Sequence, residues 1–439
     1  MEQFRLPKIS MPALELPASI QQVLAEADER LAGRPKLRQL FRNCFPNTLE
    51  TTTKLLDDGT TFVITGDIPA CWLRDSVEQV IHYVPFAAED PELQRIIGGL
   101  IKRHTQYVLI DPYANAFNES ANDWHWSTGD QTDMSPWVWE RKFEIDSLCF
   151  VVRLAYTYWK ETGLTDFFTA DFKRALRVIY DLFRTEQHHA ERSPYRFERR
   201  NGIMEDTLQN GGLGMPVNYT GMIWSGFRSS DDACDFHYNI PGNMFAVVAL
   251  RQMQEFAEWV YRDLEFLAEL KQLELEVDHG IKLYGIYRHP EFGPIYAYET
   301  DGYGNYCLMD DAGTPGLMSI PYLGYTGADD PIYRNTRRFA LSKENPFYFE
   351  GKAARGIGSP HTPPGYIWHM ALSMQGLTAA TKEEKLEMIS LLEATDADTG
   401  YMHEGFMADD PNVFTRKWFA WSNSLFSQLV YRAMKEELL

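Results

Sequence analysis

"SPWVWERKFEIDSLCFVVRLAYTYWKETG", residues 135–163, carries the alternation on which the fold turns. From Asp146 onward, Leu148, Val151, Val152, Ala155 and Trp159 recur at the three- and four-residue spacing of one helical face, and Gly163 follows as a stop signal. The half before it is a polar loop full of aromatic rings. The same helical period returns over 19–32, 75–90, 91–109, 171–192, from 243 to about 281, 364–380 and 417–438. Strand signals are few: 60–65, and 283–288 with 294–300 as a hairpin around "HPEFG". The chain therefore reads as mainly α, with polar aromatic loops returning after every one or two helices. Helices paired antiparallel around a ring bring alternate loops to one rim.

No linker, repeat or low-complexity segment divides this pattern. It implies an N-terminal arm over 1–18 and one domain over 19–439. Among 439 residues, 14% are aromatic, with 11 Trp and 23 Tyr, which suits a concave site for sugars as well as a large core. The formal net charge of -20 repels phosphate backbones and anionic membranes, and this argues against nucleic-acid or membrane partners. The first 20 residues lack a basic and apolar signal pattern, and the apolar run "MFAVVAL" at 244–250 is too short to span a bilayer. Cys44, Cys71, Cys149, Cys234 and Cys307 show no paired spacing and read as thiols of a reducing compartment, so a cytoplasmic location is expected.

Two carboxylate loops stand out. "GFRSSDDAC" places Asp231 beside Asp232, where mutual repulsion and burial could keep one member protonated as a general acid. The same residues also suit the first turn of a helix. "YMHEGF" sets Glu404 among apolar neighbours, beside His403, with Arg416, Trp418 and Trp421 downstream. "WLRDS" supplies Arg74 and Asp75, a fork of donors and an acceptor for sugar hydroxyls, or a capped helix start beside a core tryptophan. His361 lies in a proline-fixed loop. No Walker A, GxGxxG, HExxH or GxSxG motif is present, and no local spacing proposes a metal site. Paired carboxylates with Trp, Tyr, Arg and His are the inventory of a glycoside hydrolase.

The loops "TGDIPACWLRDS", "DPYANAFN", "SPWVWERKFEIDSLC", "TGMIWSGFRSSDDAC", "YAYETDGYGN", "GKAARGIGSPHTP" and "TGYMHEGF", in this order, resemble glycoside hydrolase family 125 over about 36–430. The resemblance implies an (α/α)6 barrel with short β-hairpins in its rim loops and an exo-acting, inverting α-1,6-mannosidase that needs no metal or cofactor. Its substrate would be terminal mannose of mannosides or N-glycan fragments. It implies Asp231 as general acid and Glu404 as general base, with Asp232 in support, and an inverting site expects their carboxyl groups roughly 6.5–9.5 Å apart. Arg74, Asp75, Asn115, Arg228, Asp232, His361, His403 and Trp418 are the expected sugar contacts, whereas Trp72, Trp139 and Trp224 could be core. One departure is Ser229, where the family commonly has proline. The alternatives are another (α/α)-barrel glycosidase and a non-catalytic mannoside-binding protein.

Overall fold

The computed structural model describes residues 11 and 14–439; most of the expected N-terminal arm lies outside the described residues. Thirteen helices carry the architecture: α1 Ala18–Arg30, α2 Pro35–Cys44, α3 Leu73–Val80, α4 Pro91–Ile110, α5 Ile145–Thr162 and α6 Ala170–Glu186. They continue as α7 Ile240–Glu255, α8 Leu264–Tyr284, α9 Ile320–Leu323, α10 Pro331–Ala340, α11 His369–Leu377, α12 Lys382–Ala394 and α13 Ala420–Lys435.

The odd members from α3 to α13 form an inner ring. Helix α3 packs on α5, α5 on α7, α7 on α9, the 3-10 turn Leu317–Ser319 before α9 on α11, α11 on α13, and α13 back on α3. The even members lie outside: α4 on α5, α8 on α7, α12 on α11, and α2 on α13. This is an (α/α)6 barrel. Burial follows the layer. All eight residues of α3 are buried, charged ones included. Helix α10 buries only the stripe Tyr333, Thr336, Phe339 and Ala340, as an outer helix with one wet face must.

Local chemistry sets the helix starts and stops. Pro91 and Pro331 stand at first-turn positions where no donor is needed, and the preceding Asp90 and Asp330 accept backbone N–H groups as caps. Gly163 ends α5 in the left-handed region with φ 70°. The helical reading of 75–90 ends early, because Pro85 has no N–H, and the chain passes into a 3-10 turn over Ile81–Phe86. The stretch read as one helix from 243 to 281 is two. A π turn over Phe256–Tyr261 runs into Arg262 at φ 52°, after which Asp263 caps α8. The hairpin around "HPEFG" is present, with Ile286–His289 paired antiparallel to Gly293–Tyr296.

Small sheets launch several inner helices. Cys71–Trp72 pairs with Ala116–Phe117 ahead of α3, Tyr238–Asn239 pairs with Glu299–Thr300 ahead of α7, and Tyr366–Trp368 pairs with Gly405–Met407 ahead of α11. Backbone hydrogen bonding in each strand fixes the first turn of the helix that follows it, so side chains there are held by two elements at once.

Candidate active site

The first turns of α3 and α13, the end of the strand before α11, and the loops 229–231, 361 and 404 line one pocket of about 390 Å³, open solvent included. Its polar lining is Thr65, Arg74, Asp75, Asp231, His361, Glu404 and Arg416; Trp72, Trp368, Phe419 and Trp421 wall it. Asp231 and Glu404 therefore share one cavity, as the paired-carboxylate reading expects.

No helix begins at the adjacent aspartates. A bridge between Phe227 and Ala233 closes a tight turn in which Arg228 N–H donates to Asp232 O at 2.7 Å and Asp231 N–H to Arg228 O at 3.0 Å. Asp231 sits at the tip with φ 69°, a left-handed conformation that aspartate tolerates better than most residues. The turn sends the two carboxylates to opposite fates. Asp231 enters the pocket with 26% of its side chain exposed, while Asp232 is buried behind it and accepts from His361 Nδ1 at 2.8 Å. Ser229, at the departure from the family pattern, donates Oγ to Pro315 O at 3.0 Å and ties the turn to its neighbour.

Arg74 organises the acid side. Its Nη1 donates to Glu144 Oε2 at 2.6 Å and Asp146 Oδ2 at 3.0 Å, and its Nη2 to Asp231 Oδ1 at 2.6 Å. Glu144 precedes α5 and Asp146 is its second residue. Burial raises the Glu144 carboxyl well above the usual range, with the Asp231 charge adding to it. For Asp231 burial pulls the same way, but the Arg74 guanidinium together with Glu144, Lys142 and His361 outweighs it and holds the group well below that range. Lys142 Nζ donates to the Asp231 carbonyl at 2.6 Å and fixes the turn from beneath.

Glu404 stands on the opposite loop, before the strand Gly405–Met407. Its carbonyl accepts from His369 N–H at 3.3 Å, and Arg416 Nη1 lies 3.5 Å from Oε1. Gly405 follows because a β-carbon there would stand 3.0 Å from the Trp368 ring. Arg416 is itself held by Asp67 through Nε at 3.0 and 3.1 Å. His361 lies between the carboxylates. Burial opposes its charge, but the hydrogen bond to Asp232 and the nearby Glu404 and Asp231 push its pKa up to about 9. Burial also pushes Asp75 up to about 6; among the described residues its one close cation is Arg74, with Nε 3.9 Å away.

Besides Asp232, four expected contacts fall elsewhere. Asn115 is fully buried and spends its amide on Glu140, Glu144 and the Lys142 N–H. His403 is fully buried, stacked on Phe414 at 3.8 Å and bonded to Arg416 O and Thr399 Oγ1. Trp418 packs on the main core ahead of α13, and Trp421, in the first turn of that helix, takes the wall position. Arg228 faces away from Asp231 into a neighbouring cavity, paired with Glu299 at 2.6 Å and Asp235 at 2.8 Å. Trp139 and Trp224 are core, whereas Trp72 lines the pocket. Glu144 and Asp146 escaped sequence reasoning as supporting groups, because acids at a helix start read equally well as capping groups, and Arg416, noted downstream of Glu404, is not among the expected sugar contacts.

Among the described residues the one metal-ligand-like cluster is Asp235, Glu299 and Cys307, and the Arg228 guanidinium already bonds both of its carboxylates.

An (α/α)6 barrel whose rim pocket opposes two carboxylates across aromatic walls defines the class of glycoside hydrolases. Residues 34–431 match the family of metal-independent alpha-mannosidases, glycoside hydrolase family 125, and the chain belongs to it. It is similar to a Streptococcus pneumoniae metal-independent alpha-mannosidase solved in a non-productive substrate complex with alpha-1,6-mannobiose: 46% identity, TM-score 0.93, covering 95% of this chain and 98% of that one. It also matches the Meiotically up-regulated gene 157 protein of Schizosaccharomyces pombe, 37% identical over 94% of this chain and 85% of that protein. A bacterial glucoamylase complexed with acarbose, 12% identical with TM-score 0.53 over 83% of this chain and 49% of that one, shares the fold.

Proposed function

We propose that this metal-independent α-mannosidase removes terminal α-1,6-linked mannose with inversion, Asp231 acting as general acid and Glu404 as general base. The observation that carries the reading is that these two carboxyl groups line one pocket from separate loops, alongside Asp75. The similar pneumococcal enzyme was captured with α-1,6-mannobiose, which supports the linkage.

In this mechanism the aromatic walls take the apolar patches of the mannose ring, and Asp75, His361 and Arg416 take its hydroxyls. Asp231 gives a proton to the glycosidic oxygen as the C1–O bond breaks. Glu404, polarised by Arg416, takes a proton from the water that bonds to C1 on the opposite face. The cytoplasmic location belongs to the same proposal and is supported by five unpaired cysteines, four of them buried.

The test is NMR of α-1,6-mannobiose hydrolysis with chelator present. The wild type should release β-mannose first, and Asp231→Asn and Glu404→Gln, both folded, should each lose about 10²–10⁴-fold in kcat. Initial α-mannose would overturn inversion and the role of Glu404. Tight mannobiose binding without hydrolysis would favour a binding protein.

A further inference from the structure

The acid side of the pocket holds more negative groups than its cations can offset. Arg74 alone bonds Glu144, Asp146 and Asp231, and Asp75 lies on its other edge. Lys142 reaches the backbone of Asp231 rather than its carboxylate, and spends its charge on Asp206 at 2.9 Å with Glu140 at 3.9 Å. His361 is committed to Asp232. Three carboxyl groups on one buried guanidinium cannot all remain charged, because each uncompensated charge in a low-dielectric site costs several kcal/mol.

We propose that Glu144 is a positioning residue for the acid: Glu144 and Asp231 hold one proton between them across Arg74, and Glu144 hands that proton to Asp231 as the glycosidic bond breaks. The inference rests on the reading of Asp231 as the acid, and it resolves a conflict within that reading. Arg74 favours the charged form of Asp231, yet an acid must be protonated at the moment of transfer. Glu144 is the group from which the proton can come. Its side chain has no exposure to solvent, against 26% for Asp231, and the two carboxyl groups sit on the two amino groups of one guanidinium, Glu144 Oε2 on Nη1 and Asp231 Oδ1 on Nη2, each at 2.6 Å. Two neutral donors, Asn115 Nδ2 at 3.2 Å and Ser147 Oγ at 2.9 Å, hold Glu144 in place, as does the Arg74 cation.

The step balances. When substrate enters and displaces water, the proton moves from the Glu144 carboxyl to Asp231 and on to the glycosidic oxygen. That oxygen leaves as a hydroxyl, Glu404 takes the proton of the attacking water, and the pair is left as two carboxylates against Arg74. Once product departs, Glu404 releases its proton to solvent and solvent returns one to the pair through the exposed edge of Asp231.

The experiment compares wild type, Glu144→Gln, Glu144→Asp and Asp231→Asn on two substrates across pH. α-1,6-Mannobiose needs protonation of its leaving group, whereas α-mannosyl fluoride needs far less. Glu144→Gln should lose about 10²–10³-fold in kcat on mannobiose and less than about tenfold on the fluoride. The alkaline limb of its kcat/KM profile should move to lower pH, because Asp231 is left alone beside Arg74. Glu144→Asp should recover part of the mannobiose activity and should carry the same substrate dependence. Equal proportional losses on both substrates with an unmoved alkaline limb, in either folded Glu144 variant, would show a packing role and overturn the proposal, and so would wild-type behaviour. Asp231→Asn separates the two ideas: if it still hydrolyses mannobiose, the acid assignment fails whatever Glu144 does.

Discussion

Adjacent residues in this pocket differ in chemistry because the backbone gives them different surroundings. Asp231 and Asp232 are neighbours in sequence, but one tight turn places the first beside substrate space and the second against His361. The pair was legible as an acid candidate from its composition; which member faces the pocket depends on a left-handed φ that no spacing encodes. Asp75 illustrates a consequence at the same scale. It lies in the pocket with its pKa pushed up to about 6 by burial, opposed by Arg74. A carboxylate accepts sugar hydroxyls better than a carboxylic acid does, so binding should weaken as pH falls through that value. Calorimetry of α-1,6-mannobiose on Glu404→Gln should show Kd rising roughly eightfold between pH 6.5 and pH 5, the ratio of ionised fractions for such a group. Adding Asp75→Asn should raise Kd by about 10-fold or more and flatten the pH dependence, the loss expected for a hydrogen bond to a charged acceptor. A Kd unchanged by that substitution would remove Asp75 from the list of sugar contacts.

At the scale of elements, periodicity recovered the long helices α4, α5 and α13 nearly to their ends, because an apolar stripe and a cap agree there, and overran α6, which stops at Glu186 rather than at 192. It failed in two informative ways. The outer helices α2, α10 and α12 went unmarked, since a short helix with one narrow buried stripe contributes few apolar residues to a window. The segment from 243 to 281 read as continuous because its break is made by Arg262, a residue with no reputation as a helix stop. Arg262 holds φ 52° and ψ 40°, a conformation that costs a residue with a β-carbon roughly 1 kcal/mol relative to glycine. Among the described residues its side chain makes no hydrogen bond or ion pair. Arg262→Gly should therefore stabilise the protein by about 0.5–1 kcal/mol, read as a higher midpoint in guanidinium unfolding, with mannobiose turnover unaltered. A lower midpoint would mean that the arginine stem supports the turn by packing.

For the whole molecule, alternation of helix and loop was enough to suggest a ring, but the closure of that ring was invisible. Closure joins residues hundreds of positions apart, and single-sequence patterns carry no record of such pairs. Helix α13 supplies it. Ser424 Oγ donates to Gln79 O of α3 at 3.3 Å, Asn423 Nδ2 to Asn47 Oδ1 at 3.2 Å, and Cys44 Sγ to Asn423 Oδ1 at 3.2 Å. The same helix buries Leu425, Phe426, Leu429, Val430 and Met434, which together contribute about 10 kcal/mol of apolar burial. That equals the whole net stability of an ordinary folded domain. A chain ending at Phe419 keeps Asp231 and Glu404 and should nevertheless lose the barrel, with no cooperative unfolding transition and no hydrolysis. What the pocket requires is the closed ring rather than the order in which the chain travels round it. The C-terminal ends of α1 and α13 meet, where Arg30 Nη1 donates to Met434 O at 3.1 Å and Lys435 pairs with Glu26 at 2.9 Å, so a linker from α13 back to the start of α1 has about 20 Å of helix to span. A permutant that joins the chain ends by a flexible linker and opens between the exposed Lys343 and Glu344 should keep the fold and at least about half the wild-type kcat, because the cut severs few contacts. If the truncated chain folds and hydrolyses mannobiose, closure by α13 is dispensable; if the permutant cannot fold while the truncation also fails, chain order matters as much as closure.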